Sequence, residues 1–141
     1  MFLTIKKIPK KTWSSKNPYN LRPKLITVFS GKIFDVVVDC RVKSKTFGKC
    51  FSIILSANMN KSLYIPAGFA HGFCSLSNNT ILHYKCTNYR DKNSETGIIW
   101  NDKTLKIKWP IKNPIVSSKD KKNYIFKDFI KKLRLKSVKK L

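Results

Sequence analysis

Lys24-Leu-Ile-Thr-Val-Phe29, Ser30-Gly31 and Lys32-Ile-Phe-Asp-Val-Val-Val-Asp39 form the stretch from which the fold is read. β-Branched and aromatic residues dominate both runs, and a glycine-containing pair separates them. The pattern predicts two strands joined by a tight turn, a β-hairpin. Working outward, further strand-like runs cover residues 49–56, 62–65, 72–76 and 80–89, with turn chemistry such as Ser77-Asn78-Asn79-Thr80 between them. Short strands at this spacing predict an all-β sandwich or barrel. After Ser117-Ser118-Lys119-Asp120 the period changes. Phe126, Phe129, Ile130 and Leu133 recur at helical spacing with lysines between them, which predicts an amphipathic basic helix laying its apolar stripe on the β-structure.

The 141 residues fit one domain, and a 42% hydrophobic share suffices for its core. The longest apolar runs, Val36-Val37-Val38 and Ile53-Ile54-Leu55, are far shorter than the roughly 20 residues a bilayer crossing needs, so no membrane span is expected. Lys6 and Lys7 break the first apolar stretch too early for a signal peptide, and the expected location is the cytoplasm. Cys40, Cys50, Cys74 and Cys86 form no CxxC pair or zinc-ligand pattern; they are expected to be buried thiols without disulfides.

The net charge of +23 invites a polyanion partner, but its makeup points elsewhere. Of the 30 basic residues only Arg22, Arg41, Arg90 and Arg134 are arginines, leaving 30 − 4 = 26 lysines spread through turns, strand ends and the C-terminal segment. Arginine is the residue suited to bidentate phosphate and guanine recognition, so the composition argues against a dedicated nucleic-acid role.

Three ordered stretches carry a resemblance. They are Gly31-Lys-Ile-Phe-Asp-Val-Val-Val-Asp39 leading to Ser44-Lys-Thr-Phe-Gly48, then Tyr64-Ile-Pro-Ala-Gly-Phe-Ala-His-Gly-Phe73, then Gly97-Ile-Ile-Trp-Asn-Asp102 with Ile107-Lys-Trp-Pro110. Over about Asn17 to Asp120 this set resembles the dTDP-4-dehydrorhamnose 3,5-epimerases. The resemblance implies an all-β cupin-type jelly roll (double-stranded β-helix) with a C-terminal amphipathic helix. Its segments would be a divergent 1–16, a jelly-roll domain over 17–120 and a basic helical tail over 121–141. It also implies a dTDP-sugar substrate, a homodimer and a place in dTDP-rhamnose formation. Pro66, Gly68 and His71 resemble the second cupin motif. The first cupin motif, with its His-x-His pair and glutamate, is absent, and the chain has two histidines in all, so neither a metal nor another cofactor is expected.

The family's reaction inverts the two carbons flanking a C4 carbonyl, and needs a base, an acid and an enolate stabiliser. By resemblance Tyr84 is the general acid. If Tyr84 faces inward, its neighbour His83 faces out, because successive strand residues alternate. Lys24 shares a strand face with Ile26 and Val28 and matches the lysine beside the keto oxygen. His71 matches a substrate-facing histidine that binds and polarises. Asp120 matches the aspartate that orients the catalytic histidine, with Lys119 beside it as a substrate-binding residue; near a helix start it is also a sound capping residue.

The family carries an Arg-Gly-Leu-His run, with the histidine as general base, where this chain reads Lys10-Lys11-Thr12-Trp13-Ser14-Ser15-Lys16. The segment that precedes it in the family, which helps bind nucleotide and exchanges strands between subunits, is expected to be missing as well. Serine or lysine cannot stand in directly for imidazole near neutral pH. Two explanations stand: a truncated or frame-disrupted copy with reduced or lost activity, or a divergent epimerase with another base or another subunit's help. A non-catalytic sugar-nucleotide binding cupin and a basic polyanion-binding protein using the C-terminal helix are the alternatives of other classes.

Overall fold

The computed structural model describes residues 2–3, 23–86 and 96–138, with side chains over 23–86 and 96–134. Seven strands are described: β1 (Phe2–Leu3), β2 (Lys24–Ser30), β3 (Lys32–Asp39), β4 (Cys50–Ser56), β5 (Ser62–Ile65), β6 (Phe69–Ser75) and β7 (Ile81–Cys86). A short helix α1 (Ser118–Lys121) and a longer α2 (Phe126–Val138) follow. The strands form two antiparallel sheets, ordered β1-β6-β3-β4 and β5-β2-β7.

The predicted hairpin does not form. β2 and β3 are the strands expected, but each has both edges taken by other partners: β2 lies between β5 and β7, and β3 between β6 and β4. Ser30-Gly31 is instead a corner that carries the chain from one sheet to the other. Gly31 sits at φ +72°, and a Cβ there would lie 2.4 Å from Ser77 Oγ, 2.7 Å from Thr80 Oγ1 and 2.8 Å from the Asn79 carbonyl oxygen. Only glycine meets both demands without strain. The Lys32 amide donates to Ser77 Oγ at 2.9 Å and Ser30 Oγ donates to the Asn79 carbonyl at 3.2 Å, which pins the corner to the β6–β7 turn.

Side-chain parity shows why β3 is central. Its odd residues Ile33 and Val37 join Ile26, Val28, Leu55 and Ile65 in a core between the sheets. Its even residues Val36 and Val38 join Cys40, Ala70, Ile98 and the α2 stripe Phe126, Phe129, Ile130 and Leu133 in a second core on the outer face. The C-terminal helix therefore packs as its periodicity predicts. Fully burying Phe129 contributes roughly 2–3 kcal/mol. Asp102 holds the helix start: its Oδ2 accepts from the Phe126 amide at 2.7 Å and its Oδ1 from the amides of Thr104 and Leu105.

The loop from β3 to β4 is organised by buried Asp39. Its carboxylate accepts from Arg41 Nε, Nη2 and backbone N, from Ser44 Oγ and from Thr46 Oγ1, at 2.6–2.9 Å. Burial alone would raise this carboxyl's pKa, but the hydrogen bonds from Arg41, Thr46 and Ser44 outweigh it and hold the group well below the ordinary carboxylate range. Arg41 also lies over the Phe69 ring, 4.5 Å from its centroid.

The cysteines depart in part from expectation. Cys40 and Cys74 are buried, with burial pushing the Cys40 thiol up to about 12, whereas Cys50 is exposed and Cys86 partly so. Cys50 opens β4 at the sheet edge, where its strand neighbour Phe51 is exposed as well. Among the described residues no helix is long and apolar enough to cross a membrane.

Candidate functional site

The inner faces of the two sheets carry the chemistry-bearing side chains. Strand pairing places Lys24 opposite Cys86, Ile26 opposite Tyr84 and Val28 opposite Leu82. Directly paired residues point to the same face, and Ile26 and Val28 belong to the inter-sheet core, so Lys24 and Tyr84 face inward with them. They are diagonal neighbours on adjacent strands, about 7–8 Å apart at the backbone. Lys24 is partly buried, and Tyr84 keeps 48% of its surface exposed, so this end of the interior opens to solvent. His83 lies on the opposite face, stacked on Phe29 with ring centroids 5.4 Å apart, as alternation requires.

The facing sheet supplies the partners. His71 on β6 pairs with Val37, and Asp35 pairs with Phe73, so all four share the inner face of that sheet. His71 and Asp35 are both buried, and His71 Nε2 meets Asp35 Oδ2 at 2.8 Å. Asp35 Oδ1 has no hydrogen-bond partner among the described residues, a costly state for a buried carboxylate oxygen. The His71 ring is stacked 6.0 Å from Phe73, which limits its tilt.

Asp35 was not among the residues singled out from sequence. The signal was there: it is one of only seven acidic residues and interrupts an otherwise apolar run, at the parity of Ile33 and Val37. An acidic residue on the core face of a strand asks for a partner, and finding that partner takes the β3–β6 register.

Asp120 is buried in α1. Ser117 caps that helix by accepting from the Asp120 amide at 3.1 Å, and Ser117 Oγ donates to Asp120 Oδ2 at 2.7 Å. The cap is therefore Ser117, and Asp120, in the third helical position, accepts from the hydroxyl of that cap. His71 bonds to Asp35 rather than to Asp120. Lys119, next in α1, is exposed. Lys10 to Lys16, where the family's general-base motif would fall, lies outside the described residues.

At the open end, Pro23, Lys24, Leu25, Tyr64, Lys85 and Cys86 line a shallow cavity of about 190 Å³. It straddles the lip of the β5-β2-β7 sheet, and Lys24 and Cys86 belong also to the inner face. Among the described residues no group of three or more His, Cys, Asp or Glu side chains could hold a metal ion.

Comparison with known proteins gives a consistent picture. The sequence profile of a family described as dTDP-4-dehydrorhamnose 3,5-epimerase matches residues 15–128. The enzyme of that name from Shigella flexneri is 47% identical over 106 residues, 72% of this chain and 59% of that protein. Its namesake from Escherichia coli K12 is 42% identical over 109 residues, 77% of this chain and 59% of that protein. Among solved structures, the dTDP-6-deoxy-D-glucose-3,5-epimerase of Legionella pneumophila, in complex with dTDP-4-keto-L-rhamnose, superposes with a TM-score of 0.79 at 34% identity, covering 93% of this chain and 64% of that one. The dTDP-4-dehydrorhamnose 3,5-epimerase of Elizabethkingia anophelis gives 0.78 at 39% identity, covering 89% and 64%. The chain thus spans about three-fifths of the length of these relatives, and its two-sheet architecture is their cupin jelly roll.

Proposed function

The chain belongs to the dTDP-4-dehydrorhamnose 3,5-epimerase family, and on that premise we propose that it acts on a dTDP-4-dehydro-6-deoxy sugar, moving protons at the carbons beside the C4 carbonyl. The observation that carries this reading is the shared interior of Lys24, Tyr84 and the His71–Asp35 pair. A cation beside the keto oxygen favours the enolate that forms when a neighbouring proton leaves, and does so more strongly in a partly dehydrated space than in water. Tyr84 delivers a proton to the carbon from its own side. By resemblance alone, Asp120 and Lys119 are assigned to the same site, Asp120 as the family's orienting carboxylate and Lys119 as a substrate contact.

Exposed apolar side chains on the outer face of the β5-β2-β7 sheet, including Leu25, Phe29, Tyr64 and Ile81, support a homodimer as the working form. Four free thiols are in keeping with a cytoplasmic setting. The second reading is a sugar-nucleotide binding protein without turnover, and the Lys10–Lys16 sequence in place of the family's histidine motif favours it.

Incubation of dTDP-4-dehydro-6-deoxyglucose with the full chain in heavy water, followed by proton resonance and mass, separates the two. The epimerase reading expects deuterium at C3 or C5 above the rate without protein, and a Tyr84→Phe drop of roughly 100-fold or more in epimerised product. Tight binding with no exchange would leave the pocket and remove the activity.

A further inference from the structure

Proton abstraction next to a carbonyl requires a base, and the two histidines of this chain are in very different places. His83 is on the outer face of its sheet, stacked on Phe29. His71 faces the interior and is held by a fully buried carboxylate. We infer that the His71–Asp35 pair is the proton-abstracting base of this chain, taking the place of the histidine that the family carries upstream. This rests on the epimerase reading above and adds the identity of the base to it.

Three features of the geometry support the assignment. With Asp35 Oδ2 as the acceptor, Nε2 is the nitrogen that donates, and Nδ1 is the nitrogen left for an incoming proton. No hydrogen bond among the described residues occupies Nδ1. The carboxylate beside the ring then stabilises the imidazolium that forms, the logic of a base with an orienting acid. Finally, His71 lies on the inner face of the β1-β6-β3-β4 sheet and Tyr84 on the inner face of the facing β5-β2-β7 sheet. Inversion of a carbon needs a proton removed from one side and returned from the other, and these two groups belong to facing sheets.

The step balances without any further reactant. The C–H bond beside the carbonyl breaks, and its proton passes to His71 Nδ1. The bonding pair moves into a new carbon–carbon double bond while the carbonyl π pair moves onto the C4 oxygen, facing Lys24. The enolate collapses as the Tyr84 hydroxyl gives its proton to the same carbon from the other side, inverting it. Imidazolium and phenolate then return to their starting states by proton exchange with water. Asp35 acts through the imidazole and is a positioning residue.

The test uses the full chain, the keto sugar nucleotide and heavy water. Wild type is expected to label C3 or C5, and His71→Ala to lower the labelling rate roughly 100-fold to 10,000-fold while still binding dTDP. Added imidazole should then restore part of the rate to His71→Ala. Asp35→Asn should lower kcat with little change in KM, and His83→Gln should label like wild type. If His71→Ala does not fold, His71→Asn, which keeps a hydrogen-bonding group beside Asp35, takes its place with the same expected loss. Labelling by the position-71 variant at the wild-type rate would place the base elsewhere and overturn this inference while leaving the epimerase reading intact. Loss of dTDP binding together with labelling, without imidazole rescue, would mark a structural histidine and overturn it too. No labelling by wild type would remove the epimerase reading itself, and the base with it.

Discussion

Replacing Asp39 by asparagine keeps the shape of the side chain and removes its charge, and the surroundings of Asp39 give the size of the effect. The carboxylate accepts five hydrogen bonds, two of them from the Arg41 guanidinium. The hydroxyls of Ser44 and Thr46 can turn to accept from the new amide, whereas the guanidinium has only donors to offer. Breaking a buried ion pair costs about 3–5 kcal/mol. The Arg41 side chain is 43% exposed, so water screens this one, and about 2 kcal/mol is expected for Asp39→Asn at pH 7. The pH dependence follows from the direction of the shift. In the unfolded chain the carboxyl titrates near 3.9, as an ordinary aspartate does, and in the folded chain it titrates well below that. Its stabilising contribution is therefore complete above about pH 5 and is lost as pH falls through the unfolded value toward the folded one. Urea unfolding of wild type and variant at pH 7 and pH 3 reads this directly. The difference between the two proteins should roughly halve at pH 3, because every other acidic group is common to both. A difference that stays constant across that range would refute the ion-pair account, and one below about 0.5 kcal/mol at pH 7 would show the loop is held by its backbone alone.

Phe129→Ala should cost about 3–5 kcal/mol in urea unfolding, since the ring is fully buried against β3; a loss under about 1 kcal/mol would mean that α2 is not seated on the sheet. Gly31→Ala should destabilise by at least about 1 kcal/mol, because it adds a Cβ at positive φ within 2.4 Å of Ser77 Oγ, and a neutral result would contradict the corner geometry. With iodoacetamide at pH 8, Cys50 should label well before Cys40, whose thiol is buried and titrates near 12, and equal rates by peptide mass would argue against that burial.

Much of the architecture could be read from residue patterns, and the errors have physical causes. The strands announce themselves because valine and isoleucine cluster in them, and the α2 stripe because Phe126, Phe129, Ile130 and Leu133 fall on one helical face. Pairing was less visible. Ser30-Gly31 is short enough for a hairpin, and what prevents one is that the edges of β2 and β3 are occupied by strands much further along the chain. β3 carried a warning in Val36-Val37-Val38, apolar at both parities, as a strand covered on both faces would be. Within the site, alternation was enough to put Lys24 with Ile26 and Val28, and His83 on the face opposite Tyr84; that Lys24 and Tyr84 share a face follows from the β2–β7 register. It could not find Asp35 for His71, because those residues are 36 apart and meet only through the β3–β6 register.

β3 has α2 on one side and the inter-sheet face that carries the proposed site on the other. Val36 and Val38 are gripped by the helix, while Asp35 and Val37, interleaved with them on the same backbone, set where the carboxylate meets His71. A ribosome makes β3 long before α2, so during synthesis the outer face of that strand waits uncovered. The nascent chain can assemble its sheets early, but the seat of Asp35 is fastened only when α2 emerges. A protease that clips the 126–133 stretch would then loosen the seat of the proposed base without touching any residue of that pair.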